Sequence, residues 1–414
     1  PAIRDAMAKA IERKLRGLQV FDFSSGNIGN LLLNQKLFGK FEIKIEESSP
    51  DELRQIADGL KNGLIESYYP HPKGIAYSPT GGTEPIKKLV IRYFGEIHGV
   101  PLSDDDVDRV TVTAGGQQAM TAALRSLKQG VNVLLSRWDY APISGIIRDH
   151  NLNEVRVEVN DDLSINIDDL KEKVSENSVF YISMPNNPTG YVSADNLEAI
   201  LDILSANHGG VVWDAPYLFT IIRLNSKNAV FDKEFLWDVL NRFKKIVEKH
   251  YEIMCILSSL SKTCLIAGLR FGFATASKKW IENMEAIIGR ENLSSPTPSF
   301  IAGFHILKKF LEQPLSYEWI CKVLADRLTI LIEQVGDYLM LPKNGMFGAL
   351  YVLVRTGKAE GKVFADKLIK DYGIVTVPAE QFYGGPVNAV RPVSYTHLRA
   401  HETRHDLVCR LLLE

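Results

Sequence analysis

The chain has 414 residues, of which 45% are hydrophobic and 24% are charged, and its formal net charge is −2. A chain of this length can bury a large core and is expected to form two domains. The small net charge gives no bulk attraction to nucleic acid or an anionic membrane, and no apolar run approaches the length that crosses a bilayer, so neither is an expected partner.

The N-terminal segment, residues 1–20, is predicted to form an amphipathic helix. Its apolar side chains, among them Ile3, Met7 and Ala10, recur at helical spacing between charged residues, whereas a secretory signal needs a continuous apolar stretch. The four cysteines form no CxxC pair, which favours a reducing compartment and no structural disulfide. These features together predict a cytoplasmic protein.

Glycine and helix-start signals divide the next part of the chain. A short strand at residues 20–23 runs into a loop containing Gly26, which either lets the backbone approach a ligand or only forms a turn. A helix is predicted to begin near residues 49–53, and another begins at Thr83 or Glu84.

A possible phosphate-binding turn follows the predicted strand at residues 109–113. The sequence there is Ala114-Gly115-Gly116-Gln117-Gln118, and an apolar-faced helix comes next. A small-residue turn between a strand and a helix leaves backbone N–H groups and the helix dipole pointing at an anion. The turn matches neither GxGxxG nor GxxxxGK[ST], which excludes the dinucleotide and Walker patterns, and many ordinary strand–helix turns look alike.

Strands and helices then alternate along the chain. Strands are predicted at residues 131–135, 153–159, 179–183, 211–217 and 253–257, and helices at 167–174, 193–205, 235–249 and 280–290. Continuous apolar strands that alternate with amphipathic helices predict an α/β three-layer sandwich with a mostly parallel sheet. Ligands of such sheets bind at the carboxyl ends of the strands. Asn187, Asp214 and Lys262 lie at those ends, so one pocket is expected to hold them with the glycine turn.

The C-terminal part is expected to form a smaller α+β domain. Residues 294–299 are rich in serine and proline and mark the candidate boundary, and they precede predicted helices at 300–310 and 316–339 and a turn into a strand at 345–354. The expected division is an N-terminal helix and arm (1–48) that belongs to the small domain, a large domain (49–295), the small domain (296–392) and a tail (393–414).

Lys262 occupies an unusual position, directly after the short apolar strand at 253–257. Burying an ammonium group is costly unless the charge is paired or the amine is made neutral, and a neutral amine is a nucleophile. From this stretch alone, a lysine in a surface loop is an equally good interpretation.

Several motifs in fixed order give the chain a specific resemblance: Gly115-Gly116-Gln117, Asn187-Pro188-Thr189-Gly190, Asp214-x-x-Tyr217, Ser259-x-Ser261-Lys262 and Gly268-x-Arg270-x-Gly272. This set resembles the fold-type I, pyridoxal-phosphate-dependent aminotransferases of class I/II, the aspartate aminotransferase-like family, over residues 26–391. The resemblance implies that pyridoxal 5′-phosphate (PLP) is the cofactor and that an amino group passes between an amino acid and a 2-oxo acid.

The resemblance also implies roles for residues that would surround the cofactor. Lys262 looks like the lysine that captures the cofactor aldehyde as a Schiff base and later moves a proton at the substrate α-carbon. Asp214 would pair with the pyridine nitrogen and keep it protonated, although it could also be only a strand-end cap. Tyr217 and Asn187 would hydrogen-bond the ring oxygen, although Asn187 could also be a simple turn residue.

The remaining cofactor contacts concern the phosphate and the ring face. The phosphate would meet the backbone of Gly115, Gly116 and Gln117, the hydroxyls of Ser259 and Ser261, and the Arg270 guanidinium. Tyr140 resembles the residue that stacks on the cofactor, with Trp138 as the rival, and either could belong only to the core.

Substrate binding and assembly are implied in the same way. Arg391 resembles the arginine that clamps the substrate carboxylate, and Gly26 would lie in a loop that closes over the substrate, with Asn187 nearby. Tyr77 resembles a tyrosine that reaches the phosphate of the neighbouring subunit, which implies a homodimer with shared sites, although it could be a locally packed loop residue.

Two other functions remain alternatives to transamination. A C–S β-lyase would use the same cofactor core, and a non-catalytic ligand-binding relic, such as the sensor half of a regulator, would need an attached DNA-binding domain. The chain starts with the helix of the catalytic part, which is expected to leave no room for one. The sequence does not identify the substrate amino acid.

The tail, residues 393–414, shows no family pattern and looks like translated cloning-adaptor sequence. Pro392 interrupts a position at which the family continues a strand. His397, His401 and His405 recur at helical spacing and could line a metal-binding face, but an incidental helix is the preferred interpretation and no metal is expected. With its small domain cut short in this way, the protein is expected to bind the cofactor better than it turns over substrate.

Overall fold

A computed structural model of the protein describes residues 2–24, 51–69, 74, 76–313 and 317–394. The described helices are α1 (Ala2–Leu15), α2 (Asp51–Tyr68), α3 (Glu84–Tyr93), α4 (Gly116–Arg125), α5 (Pro142–Asp149), α6 (Ile167–Lys173), α7 (Ala194–Ala206), α8 (Lys233–His250), α9 (Leu260–Thr263), α10 (Lys278–Asn292), α11 (Thr297–Glu312), α12 (Tyr317–Val335), α13 (Gly361–Lys367) and α14 (Glu380–Tyr383). None of them is long and apolar enough to cross a bilayer.

The strands of the same residues are β1 (Phe21–Asp22), β2 (Val110–Thr113), β3 (Asn132–Ser136), β4 (Asn153–Val157), β5 (Val179–Ser183), β6 (Gly210–Asp214), β7 (Ile222–Leu224), β8 (Ala229–Val230), β9 (Met254–Ser259), β10 (Gly272–Thr275), β11 (Leu339–Met340), β12 (Met346–Phe347), β13 (Leu353–Arg355), β14 (Ile374–Val375), β15 (Val377–Pro378) and β16 (Ala389–Arg391).

A seven-stranded sheet forms the centre of the molecule. Its strand order is β2-β10-β9-β6-β5-β3-β4, and its strands run parallel except β10, which is antiparallel to both β2 and β9. The predicted α/β class with a mostly parallel sheet is therefore confirmed. The parallel strands align their carboxyl ends along one edge, where β5, β6 and β9 end in Ser183, Asp214 and Ser259.

Helices cover both faces of this sheet because the strands are apolar on both sides. Alternate residues of a strand point to opposite faces, and β5 shows the pattern. Phe180 and Ile182 pack into the core beneath α7 and α8, whereas Tyr181 packs with Met120 of α4 and Ile281 of α10. This burial on both faces fixes the strands, and with them the residues at their ends.

Sheets of short strands form in the C-terminal part and join it to the N-terminus. One has the order β11-β13-β16-β15 and is antiparallel, and β1 pairs in parallel with β14. An ion pair between Lys9 and Asp366 adds to this contact. The division into domains stays a prediction; α11, beyond the proposed boundary, packs against α2 and α3.

Three local differences from the sequence prediction have physical causes. Helix α5 was not predicted, although Pro142 is well suited to the first turn of a helix. The predicted helix at 316–339 ends at Val335, where Gly336 opens a 3-10 turn. The predicted strand at 345–354 is two short strands, because Gly348 and Ala349 break the extended backbone and Ala349 has a φ of 64°.

Candidate active site

The carboxyl edge of the sheet gathers most of the residues predicted to form a site. Ser183 lies opposite Asp214 in the register of β5 and β6, and Asp214 lies opposite Leu257 of β9. Lys262 follows in α9, the first turn after β9, and is half-buried. The strand order therefore brings the carboxylate and the lysine to neighbouring strand ends.

Asp214 is a half-buried carboxyl group whose negative charge is destabilised by the protein around it. Burial raises the pKa of Asp214 to about 6, and a hydrogen bond from the Tyr181 hydroxyl to Oδ2, 2.8 Å long, opposes this shift. Tyr181 lies on β5 beneath Ser183, so the sheet itself fixes this donor. A carboxyl whose charge is destabilised in this way is well placed to accept a cation as its partner.

A candidate anion cradle forms where α4 begins. Gly115 precedes the helix with a φ of 80°, and a Cβ on it would lie only 2.5 Å from Nη2 of Arg270, so the guanidinium can come this close only because the residue is glycine. The Arg270 guanidinium is held by hydrogen bonds to the carbonyls of Ala267 (2.8 Å) and Ala114 (3.3 Å).

The same cradle includes a hydroxyl and free helix amides. A Cβ on Gly116 would lie 3.7 Å from Ser259 Oγ, which places that hydroxyl beside the start of α4. The first N–H groups of a helix have no partner within it, so those of Gly116 and Gln117 can bind an anion together with Arg270. Ser261 is buried in α9.

Tyr140 faces the site, and Trp138 packs away from it. The Tyr140 hydroxyl donates to Oε1 of Gln117 over 3.3 Å. Burial raises the pKa of Tyr140 to about 12, and the nearby Tyr351 and Asp214 add to the shift. The Trp138 ring instead packs on Tyr383, with 4.6 Å between ring centroids. The geometry therefore favours Tyr140 over its rival for contact with a bound ring.

Arg391 forms the other side of the pocket and is almost fully buried. Its Nη1 donates to Oδ1 of Asn187 (3.0 Å) and its Nη2 to the carbonyl of Ser24 (3.2 Å). Its guanidinium also lies over the Tyr351 and Phe382 rings, 4.1 and 4.5 Å from their centroids. The pairing of Arg391 with Asn187 links β16 to the loop after β5.

Tyr351 is a site residue that the sequence analysis missed. Its hydroxyl lies 3.4 Å from the Tyr217 hydroxyl. Burial alone would favour the neutral phenol, but the positive charges of Lys262 and Arg391 and the Tyr217 hydrogen bond lower the pKa of Tyr351. The signal that could have revealed it is Gly348, a glycine inside a run that was predicted as strand.

Replacing Tyr351 with phenylalanine is expected to lower kcat/KM about tenfold while leaving the thermal midpoint nearly unchanged. The ring stays beneath Arg391, but one hydrogen bond beside charged groups is lost, worth about 1.5 kcal/mol. Steady-state kinetics and thermal melts measure the two effects, with the half-buried Tyr338→Phe as the matched control. An unchanged kcat/KM would show that this hydroxyl has no role.

Two predicted site residues, Gly26 and Tyr77, are not placed in this pocket by the part of the chain that the structure describes. Gly26 lies outside the described residues, as do His397, His401, His405 and the rest of residues 395–414. Tyr77 is 81% exposed, so its ring lies outside the core.

Comparisons with known proteins agree with this architecture. The family model described as aminotransferase class I and II matches residues 72–392. Aspartate aminotransferase of Pyrococcus horikoshii is 24% identical over 359 residues, which cover 84% of each chain. Histidinol-phosphate aminotransferase 1 of Haemophilus influenzae is 25% identical, over 65% of this chain and 71% of its own.

Solved structures give the same fold. Aspartate aminotransferase from Thermus thermophilus with maleate superposes with a TM-score of 0.79 at 18% identity, covering 99% of this chain and 96% of that one. Aspartate aminotransferase from Thermotoga maritima has a TM-score of 0.78 at 16% identity, with coverage of 100% and 97%. At these identities the likeness concerns the fold alone.

Proposed function

The chain belongs to the class I and II aminotransferases, and from that premise we propose that Lys262, Asp214 and Arg391 carry its reaction. Members of this family depend on PLP, so the chain is a PLP-dependent transaminase, as the sequence predicted. The individual residue roles, the substrate and the assembly are proposals.

The pocket residues fit PLP at both of its polar ends. The cradle of Gly115, Gly116 and Arg270 suits a phosphate, because the guanidinium occupies space that any Cβ at Gly115 would fill. At the other end, Asp214 suits a protonated ring nitrogen, since a cation would relieve the cost of burying its charge. Tyr140 would lie on the ring face, and Asn187 and Tyr217 near the ring oxygen.

PLP, when bound, supplies the aldehyde that captures amino groups and the ring that accepts electrons from the substrate α-carbon. Lys262 would hold that aldehyde through Nζ, and once the substrate's amino group has taken its place the freed amine would be the base that takes the α-proton. Arg391 grips the substrate carboxylate and so orients the α-carbon toward Lys262. Tyr351 packs its ring against the Arg391 guanidinium, and its hydroxyl is proposed to act as a polar partner at the Lys262 side of the site.

The observation that carries this assignment is Asp214, a half-buried carboxyl at the strand end next to Lys262. Its environment penalises its charge, and protein stability alone gives no reason to keep such a group. A cationic ring nitrogen supplies the missing partner.

The experiment that tests the function mixes PLP-loaded protein with single amino acids and no acceptor. We expect about one equivalent of 2-oxo acid per site and no further turnover until a second 2-oxo acid is added. Continuous release of pyruvate with ammonia or a thiol would instead identify a β-lyase, and no reaction with any amino acid would contradict catalysis. A donor–acceptor panel then identifies the substrate.

A homodimer with shared sites is part of the proposal. Apolar side chains lie exposed along the C-terminal half of α2 and in the chain beyond it, namely Leu64, Ile65, Tyr68, Tyr69 and Tyr77. A second copy of this chain would cover them and bring Tyr77 toward the partner's phosphate cradle. Analytical ultracentrifugation should give twice the 46.4 kDa chain mass, and a monomer would contradict the shared site.

A cytoplasmic location is proposed on chemical grounds. Cys255, Cys264 and Cys321 are buried free thiols, and burial raises their pKa, so they are not reactive thiolates. Cell fractionation checks this location, and recovery in an oxidising compartment would contradict it.

A further inference from the structure

Asp139 is a buried carboxyl group that none of the proposed roles uses. It lies between β3 and α5 and is 1% exposed. Its Oδ1 accepts two hydrogen bonds, from the Tyr140 backbone N–H (2.7 Å) and the Ser183 hydroxyl (2.8 Å). Its Oδ2 is buried and has no hydrogen-bond partner among the residues that the structure describes. Such an oxygen costs free energy, so its retention needs a reason.

The two bonds of Oδ1 lead to the residues that would contact the cofactor. One fixes the backbone of Tyr140, whose ring would cover the cofactor face. The other fixes Ser183 Oγ, which in turn accepts from the Asn187 backbone N–H (3.3 Å) and from Asn186 Nδ2 (3.2 Å). The Asn187 side chain then meets Arg391. Asp139 therefore lies at the base of one network that supports both the ring and the substrate end.

Charged and titratable groups face Asp139 from three neighbouring strands. Burial raises the pKa of Asp139 to about 7; the bonds from Tyr140 and Ser183 and the charge of Arg156 on β4 oppose the shift, and the charge of Asp214 on β6 adds to it. The charges of Asp214 and Asp139 both help to raise the pKa of Tyr181 on β5. Near neutral pH, Asp139 can therefore be either neutral or charged.

We propose that Asp139 is a positioning residue of the cofactor site, and that its charge strengthens the hold on the protonated ring nitrogen. Its Oδ1 keeps Tyr140 and Asn187 in place in either protonation state. Above neutral pH its negative charge adds to that of Asp214, so a cationic ring is bound more tightly. This inference rests on the proposed function.

The test measures PLP affinity without substrate, by quenching of tryptophan fluorescence, at about pH 6 and about pH 8.5. Asp139→Asn keeps an acceptor oxygen but carries no charge, so its Kd should equal that of the native protein at the lower pH and be roughly fivefold higher at the upper one. Dividing the Kd of the variant by the Kd of the native protein at each pH removes the pH effects that are common to both proteins. Asp161→Asn, at an exposed position, is the control.

Asp139→Ala should raise the Kd about tenfold at both pH values, because Tyr140 and Ser183 lose their acceptor. An alanine variant that binds like the native protein would overturn the positioning role. A Kd ratio for Asp139→Asn that is the same at both pH values would overturn the role of the charge, even if the alanine variant failed to fold. A native protein that binds no PLP would overturn the proposed function itself.

Discussion

Replacing Lys262 with alanine is expected to lower kcat by on the order of 10⁴-fold while the protein still folds and binds PLP non-covalently. Lys262 is half-buried, and its helical turn is anchored by the buried neighbours Leu260 and Ser261, so truncating its side chain leaves the turn in place. The phosphate cradle and Asp214 are untouched by the change. What disappears is the amine that captures the aldehyde and moves the α-proton.

Absorbance spectroscopy measures the loss of aldehyde capture, and kinetics measures the loss of proton transfer. The absorbance that the covalent link gives to bound PLP should vanish, and adding a small primary amine should restore part of the proton transfer. Lys279→Ala removes a lysine whose side chain is 79% exposed and should change neither signal. If Lys262→Ala kept its covalent cofactor and its turnover, another residue would have to be the amine.

The core of the site could be predicted because apolar runs mark the strands and polar residues mark their ends. Strand β5 spans Val179–Ser183 as predicted, and the predicted strand at 253–257 is β9 with small shifts at both ends. Parallel strands then bring Asp214 and Lys262 to one edge without any knowledge of distant contacts. The resemblance to the aminotransferases, since confirmed by the family match, supplied the cofactor.

Tyr351 and Asp139 could not be predicted in this way because their roles depend on contacts between distant segments. Tyr351 enters the site only because Gly348 and Ala349 turn the chain between two short strands, and Arg391 then lies on its ring. Asp139 looks like a loop residue in the sequence, and its carboxylate is held by the Ser183 hydroxyl, 44 residues away along the chain. Strands as short as β12 and β13 carry too little periodicity to mark such a turn.

Replacing Asp214 with asparagine is expected to stabilise the cofactor-free protein above neutral pH and to lower kcat/KM by roughly 10²–10³-fold. Asparagine has the shape of the aspartate and can still accept from the Tyr181 hydroxyl. It cannot pair with a protonated ring nitrogen, and losing one partner of a buried ion pair costs about 3–5 kcal/mol. Activity and stability should therefore change in opposite directions.

The pH dependence of stability follows from the direction of the pKa shift. The folded protein raises the pKa of Asp214 from 3.8 to about 6 by burial, so folding favours the protonated carboxyl. The stabilising contribution is complete below about pH 4 and is lost as the pH rises through about 6. The neutral variant has no such loss, so its advantage in thermal midpoint should be near zero at about pH 4 and should grow up to about pH 7.

Thermal melts with and without PLP provide the decisive comparison. Cofactor-free Asp214→Asn should melt above the native protein at about pH 8, whereas with PLP the order should reverse, because the ring nitrogen now pairs with the native carboxylate and lowers its pKa. Asp139 titrates in both proteins, and losing the Asp214 charge lowers the pKa of Asp139 in the variant, which adds to the variant's advantage above neutral pH. A midpoint difference that does not change with pH, or one with the same sign with and without PLP, would show that Asp214 is not the partner of the ring nitrogen.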